Sequence, residues 1–225
     1  MSTILSLDTS TKSGSVALVQ EGQLVGAQHY NIDKSHSSLL HVMIDQLMSN
    51  AGVELSALDA IAISEGPGSY TGLRIGVSAA KGLCYSLDKP LIAINTLEAM
   101  AYQVHKYAPK TEVYCPMIDA RRMEVYAMLL DSDFQVIEET SPVIIDEGSY
   151  KELLDQNQVM FFGDGSAKCK EVLAHENATF VDHVHPSAID VGLLASRKFE
   201  QQAFENVVSF EPFYLKEFRL ATAKK

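Results

Sequence analysis

Three β-patterned runs at the head of this chain, with only tight turns between them, narrow its fold more than any other feature. Residues 3–8 (Thr-Ile-Leu-Ser-Leu-Asp) and 15–20 (Ser-Val-Ala-Leu-Val-Gln) flank turn chemistry at residues 9–14, and Glu21-Gly22 leads into a third strand at residues 23–30. Strands joined so closely pair antiparallel, because a parallel crossover needs roughly a dozen residues or more. Such a meander is not how a dinucleotide-binding Rossmann domain begins.

The period then changes. His36, Leu39, Leu40, Met43, Ile44, Leu47 and Met48 recur at helical spacing, with Ser35 as the expected N-cap and Asn50-Ala51-Gly52 as the stop. A strand at 60–64, a glycine-rich turn, a helix to about residue 87, a strand at 91–94 and a helix at 96–107 follow. The second half restarts the pattern: strands at 113–118, 123–130 and 134–145, a strand at 159–162 running into Gly163-Asp164-Gly165, and helices at 166–175 and 190–204. The tail at 211–215 reads as irregular. No Pro- or Ser-rich linker separates the halves, so the boundary is placed at residues 103–109.

At 225 residues the chain fits one large domain or two small lobes. Its net charge of −11 and pI near 5.0 argue against a broad basic face for nucleic acid or anionic lipid. No apolar run reaches the ~18 residues of a membrane span, and the first residues predict no signal peptide. Cys84, Cys115 and Cys169 fit neither a disulfide framework nor a zinc knuckle, so a reducing cytosol is expected.

The glycine-rich element is the most specific motif. Gly66-Pro67-Gly68-Ser69-Tyr70-Thr71-Gly72 is followed by Leu73-Arg74, not by the Lys-Ser/Thr of a Walker loop, and its spacing is one residue too long for a dinucleotide fingerprint. Strand, glycine turn and helix N-terminus in that order read either as a tight turn or as an anion site. In the helix beyond, Gly72, Gly76 and Ala80 form a small stripe against the polar stripe Arg74, Ser78 and Lys81. That helix is sandwiched inside its own lobe, or also packs on another subunit. Asp8-Thr9-Ser10 ends a strand in hydroxyl-rich turn residues, the place of a phosphate-facing hairpin or of a self-stabilised Asx turn. Asp119-Ala120-Arg121-Arg122 repeats the form in the second half. No paired-histidine metal motif, nucleophile elbow or placed triad is present.

Five blocks then point one way: Ile4-Leu5-Ser6-Leu7-Asp8-Thr9-Ser10, His36-Ser37-Ser38-Leu39-Leu40, the run Gly66-Pro67-Gly68-Ser69-Tyr70-Thr71-Gly72-Leu73-Arg74-Ile75-Gly76, Ile118-Asp119-Ala120-Arg121 with Glu124-Val125-Tyr126, and Glu211-Pro212-Phe213-Tyr214-Leu215. Together they resemble the TsaB (YeaZ) family, bacterial partner proteins in tRNA threonylcarbamoyladenosine synthesis. The resemblance implies an α/β (mixed α+β), two-lobed actin/Hsp70-like ATPase fold, each lobe a mixed β-sheet with helices. Residues 1–105 would form the N-terminal lobe with a partner-binding helix pair. Residues 106–225 would form a smaller C-terminal lobe whose last helix is free to pack back on the first.

The resemblance also implies a cytoplasmic, non-catalytic scaffold that pairs with its paralogue TsaD, the holder of metal and catalytic site, and joins the ATPase TsaE in a ternary complex. Such a chain homodimerises in isolation and meets tRNA only indirectly. The partner interface is expected at His36, Leu39, Leu40, Met43, Leu47, Tyr70, Leu73, Gly76, Val77, Ala80 and Leu83. No cofactor or metal is required; weak ATP or ADP binding would fall at Asp8, Thr9, Ser10, Gly68 and Ser69. His41 departs from the family pattern, which has proline after the Leu-Leu pair. The competing reading is a free-standing ATP-binding kinase or ATPase of the same fold.

Overall fold

In the computed structural model, which describes residues 2–31 and 36–215, β1 (Thr3–Asp8) is the middle strand of a five-stranded sheet ordered β3-β2-β1-β4-β5. β2 (Ser13–Gln20) pairs antiparallel with β1, placing Ser15 opposite Asp8, and β3 (Gln23–Asn31) continues the meander. β4 (Ala60–Gly66) lies parallel to β1 on its other side, and β5 (Leu91–Asn95) lies parallel to β4.

The pleat sorts the side chains to two cores. Leu5, Leu7, Ile61 and Ile63 face α1 (His36–Ala51) and α2 (Tyr70–Leu87). Ile4, Ala60 and Ala62 face the opposite way, onto Val191, Leu194 and Ala195 of α5 (Ala188–Glu200). The start of α5 is pinned to the sheet: Ser6 Oγ donates to Ala188 O at 2.7 Å, and Ala188 N donates to Ser15 Oγ at 2.9 Å. The end of the chain thus returns to the first sheet.

The second sheet, ordered β10-β9-β6-β7-β8, has the same plan. β6 (Val113–Asp119), β7 (Glu124–Asp131) and β8 (Val136–Ile144) are an antiparallel meander; β9 (Val159–Phe162) and β10 (Ala178–Val181) run parallel to β6. α3 (Thr96–His105), capped by Asn95 Oδ1 on the amides of Leu97 and Glu98, packs Leu97, Met100 and Val104 onto Tyr114, Ile118 and Phe162 of this sheet. α3 and α5 therefore stand between the sheets. Lys106 Nζ and Asp190 Oδ1 join them at 2.6 Å, with the aspartate side chain only 3% exposed.

Three expectations change. Residues 166–175 are not a helix: a single 3₁₀ turn at Ala167–Cys169 is followed by further turns. Ser166 and Cys169 bond back to Gly163 and Gly165, which hold this segment against β6 and leave it no room to propagate. The short helix α4 (Lys151–Leu154) and β10 carry too few residues for periodicity to show them. The last helix starts two residues earlier than expected, capped by Ser187 Oγ, and ends at Glu200. Ser35 lies outside the described residues.

Candidate functional site

The β1–β2 turn and the glycine-rich loop close on each other. Asp8 is buried at the end of β1, and its carboxylate accepts from Ser10 N at 3.2 Å and Ser10 Oγ at 3.0 Å. Thr9 Oγ1 donates to Gly72 O at 2.7 Å, and Ser69 N donates to Ser10 O at 2.6 Å. A Cβ at Gly68 would stand 2.3 Å from Ser10 O, one at Gly72 2.1 Å from Thr9 O, and one at Gly76 2.2 Å from Thr9 Oγ1. Gly72 and Gly76 of the small stripe thus face the chain's own turn. Asp8, Thr9 and Ser10 are turned inward, the Asx-turn alternative, and Gly68 is packed against them. Ser69, exposed, caps α2 by accepting from Gly72 N.

The same correction extends to the helix pair. Leu40, Met43, Leu47, Leu73, Gly76, Val77 and Ala80 are buried in the first lobe. Leu39, Tyr70 and Leu83 are half-buried at the margin, and the side chain of His36 lies outside the described residues. The strongest apolar stripe of an amphipathic helix is the one its own core takes first. What points outward is the opposite set: Val42, 46% exposed, with His41 beside it on α1; and Thr71, Ser78, Gly82 and Tyr85 on α2, with Tyr85 84% exposed, while Ile75 packs part of its side chain against the first core.

Gly82 stands apart from the other helical glycines. It lies inside α2, where glycine costs about 1 kcal/mol relative to alanine, yet a Cβ there would meet nothing within 4 Å. Nothing in its own chain requires a glycine at that place. The signal available in sequence was the residue set left over once the core stripe was drawn.

The tail braces the remaining flank of α2. Glu205 bridges to Leu91 at the sheet edge, and Phe210 is buried against the first core. Lys81 Nζ donates to Val208 O at 3.1 Å and to Phe210 O at 2.8 Å. Phe213 N donates to Glu65 O at 2.8 Å; Arg74 Nε donates to Tyr214 Oη at 3.2 Å, and the Tyr214 ring lies 4.9 Å from that of Tyr70.

In the second lobe the β6–β7 turn is built around Asp119. Its amide donates to Asp164 Oδ1 at 2.9 Å; its carboxylate accepts from Arg121 N at 3.0 Å and pairs with Lys168, which also donates to Glu124 O at 2.7 Å. Arg121 (φ 71°) and Arg122 (φ 51°) are consecutive left-handed residues, each costing about 1–2 kcal/mol for a side chain with a Cβ. Burial pushes the Cys84 thiol up to about 12 and raises those of Cys115 and Cys169, the reverse of an activated nucleophile. Among the described residues no group of three or more His, Cys, Asp or Glu side chains is placed to hold a metal ion.

Two sheets, each led by a hairpin and sharing α3 and α5 between them, define the class: an actin-like ATPase fold. The activator of the 2-hydroxyisocaproyl-CoA dehydratase from Clostridium difficile, solved with ADPNP, shares it at 11% identity and a TM-score of 0.54, over 91% of this chain and 98% of that one. YeaZ from Pseudomonas aeruginosa superposes with a TM-score of 0.84 at 29% identity, covering 96% of this chain and all of its own. The family model described as TsaD, tRNA N6-adenosine threonylcarbamoyltransferase, matches residues 30–223. The tRNA threonylcarbamoyladenosine biosynthesis protein TsaB of Haemophilus influenzae is 32% identical over 228 aligned residues, 95% of this chain and 93% of that protein. The chain belongs to the TsaB family of tRNA threonylcarbamoyladenosine biosynthesis.

Proposed function

We propose that this chain is a non-catalytic scaffold subunit that docks the paralogous threonylcarbamoyltransferase, TsaD, through the outer face of α1 and α2 and so supports threonylcarbamoyl transfer to adenosine in tRNA. The observation that carries the reading is Gly82. A glycine inside a helix, bare on the outside and unneeded within, is what close approach of another helix requires. Tyr85 on the same helix and Val42 on α1 are the exposed large apolar side chains of the pair. Membership in the TsaB family and the match to the transferase family support a place for the chain in threonylcarbamoyladenosine biosynthesis as a relative of that transferase. In isolation the face pairs with a second copy; in the full assembly the TsaE ATPase joins the pair in the cytoplasm, and tRNA is held mainly by the partners. Adenine nucleotide binding is weak, because the Asp8 turn bonds to itself and to the α2 loop.

Co-purification of the chain with its cognate transferase, followed by a tRNA modification assay, tests the reading. Val42→Asp and Tyr85→Asp place charge at exposed positions of α1 and α2 and are expected to abolish co-purification and modification while the monomer stays folded. Complex formation unchanged by both substitutions overturns it. ATP turnover by the isolated chain at ordinary enzymatic rates, ~1 s⁻¹ or more, supports the free-standing enzyme instead.

A further inference from the structure

We propose that the tip of the β6–β7 hairpin, Arg121 and Arg122, is a contact for the phosphate oxygens of RNA. Four arginines lie among the described residues. Arg74 is engaged by Tyr214 and Tyr70, and Arg197 by Tyr102. The guanidinium groups of Arg121 and Arg122 meet no carboxylate, carbonyl or ring among the described residues, and both side chains are exposed. The neighbouring acids do not answer them: Asp119 is taken by Lys168 and by the Arg121 amide, and Asp164 accepts from the Asp119 amide.

The backbone makes the pair harder to explain as plain surface. Both residues hold a left-handed conformation that glycine or asparagine adopts at less cost. The turn is nevertheless fastened from below by the Asp119 carboxylate, so two guanidinium forks, unpaired among the described residues, stand out together at one hairpin tip. In a chain of net charge −11, such a local pair is a site for anions. Guanidinium forks match phosphate oxygens in bidentate geometry. An exposed tip suits successive phosphates of a structured RNA backbone.

The test pairs Arg121→Asn with Arg122→Gly, which removes both charges and relieves the turn. Binding of a labelled tRNA transcript is titrated against salt, with the isolated chain at low ionic strength and with its transferase complex at physiological ionic strength. The double variant is expected to melt no lower than the parent and to form the complex equally well. It should bind RNA about tenfold more weakly in the complex, with the slope of log K against log salt smaller by about 1–2 in both arms. Arg121→Lys with Arg122→Lys should keep most of the slope.

An RNA affinity and salt slope unchanged in both arms overturn the proposal. So does competition by ATP or ADP at the hairpin, which assigns the forks to a free nucleotide. The complex arm rests on the docking reading above. Failure of the parent chain to co-purify with the transferase defeats that reading alone, since the isolated-chain arm still reports on the hairpin.

Discussion

Gly76 and Gly82 lie on one helix and read alike in sequence, but the structure assigns them opposite consequences. A methyl group at Gly76 would stand 2.2 Å from Thr9 Oγ1 and 3.0 Å from Ile63 Cδ1, both tighter than ordinary contact. Overpacking of that kind costs about 1–3 kcal/mol. Moving Thr9 aside also loses its 2.7 Å bond to Gly72 O, about another 1 kcal/mol. The helix-propensity gain of alanine over glycine, about 1 kcal/mol, does not offset the sum. Gly76→Ala should therefore lower the melting temperature by several degrees, at roughly 2–4 °C per kcal/mol for a chain of this size.

At Gly82 the added methyl meets nothing, so Gly82→Ala should raise the melting temperature by about 3 °C. Gly82→Leu should leave the monomer at least as stable as the parent, yet overpack a helix docked against it and weaken binding to the transferase about 10- to 100-fold. Thermal unfolding by circular dichroism and titration of the complex by calorimetry read both quantities. A Gly82→Leu chain that folds and binds with unchanged affinity refutes the docking face. A Gly76→Ala chain that melts no lower refutes the packing account of the small stripe.

Other perturbations test the rest of the frame. Lys106→Ala leaves Asp190 buried without its cation and should cost up to about 3 kcal/mol, the low end for breaking a buried pair because Lys106 keeps some solvent; urea unfolding measures it. Burial raises the carboxyl groups of Glu65 and Glu98 above the usual 4.5, with Lys198 opposing it in both cases. The folded state therefore binds these protons more readily than the unfolded chain, and stability falls as pH rises from about 4.5 through the folded values. Glu98→Gln should accordingly melt higher than the parent at pH 7 and lose that advantage below about pH 4.5. Isothermal calorimetry of the isolated chain with ATP should show no tight binding. Micromolar or stronger affinity means that the Asp8 turn opens in solution.

Much of the frame was legible in the residues. The meander of β1, β2 and β3 follows from period-two runs and turns too short for anything but antiparallel pairing, and α1 follows from a leucine and methionine stripe at helical spacing. The ends of such elements and the shortest of them were not legible. α4 and β10 are four residues each, and the 166–175 segment is shaped by Gly163 and Gly165 pressing on β6.

Side was the other thing that local pattern left undecided. The amphipathicity of α1 and α2 fixes that each helix buries one face, but not whether the buried face meets its own sheet or a neighbour. That depends on Thr9, sixty-three residues from the Gly72 carbonyl it binds, and on a tail that returns to brace α2. The amino-acid sequence by itself determined the leading meander and the first helices, because hydrophobic period and turn chemistry are local. Its motif blocks carried the resemblance that implied the family and the two-lobed fold. Only the tertiary structure decided which glycines serve the interior and which one stands bare on the outside, because close approach is a property of residues distant in the chain.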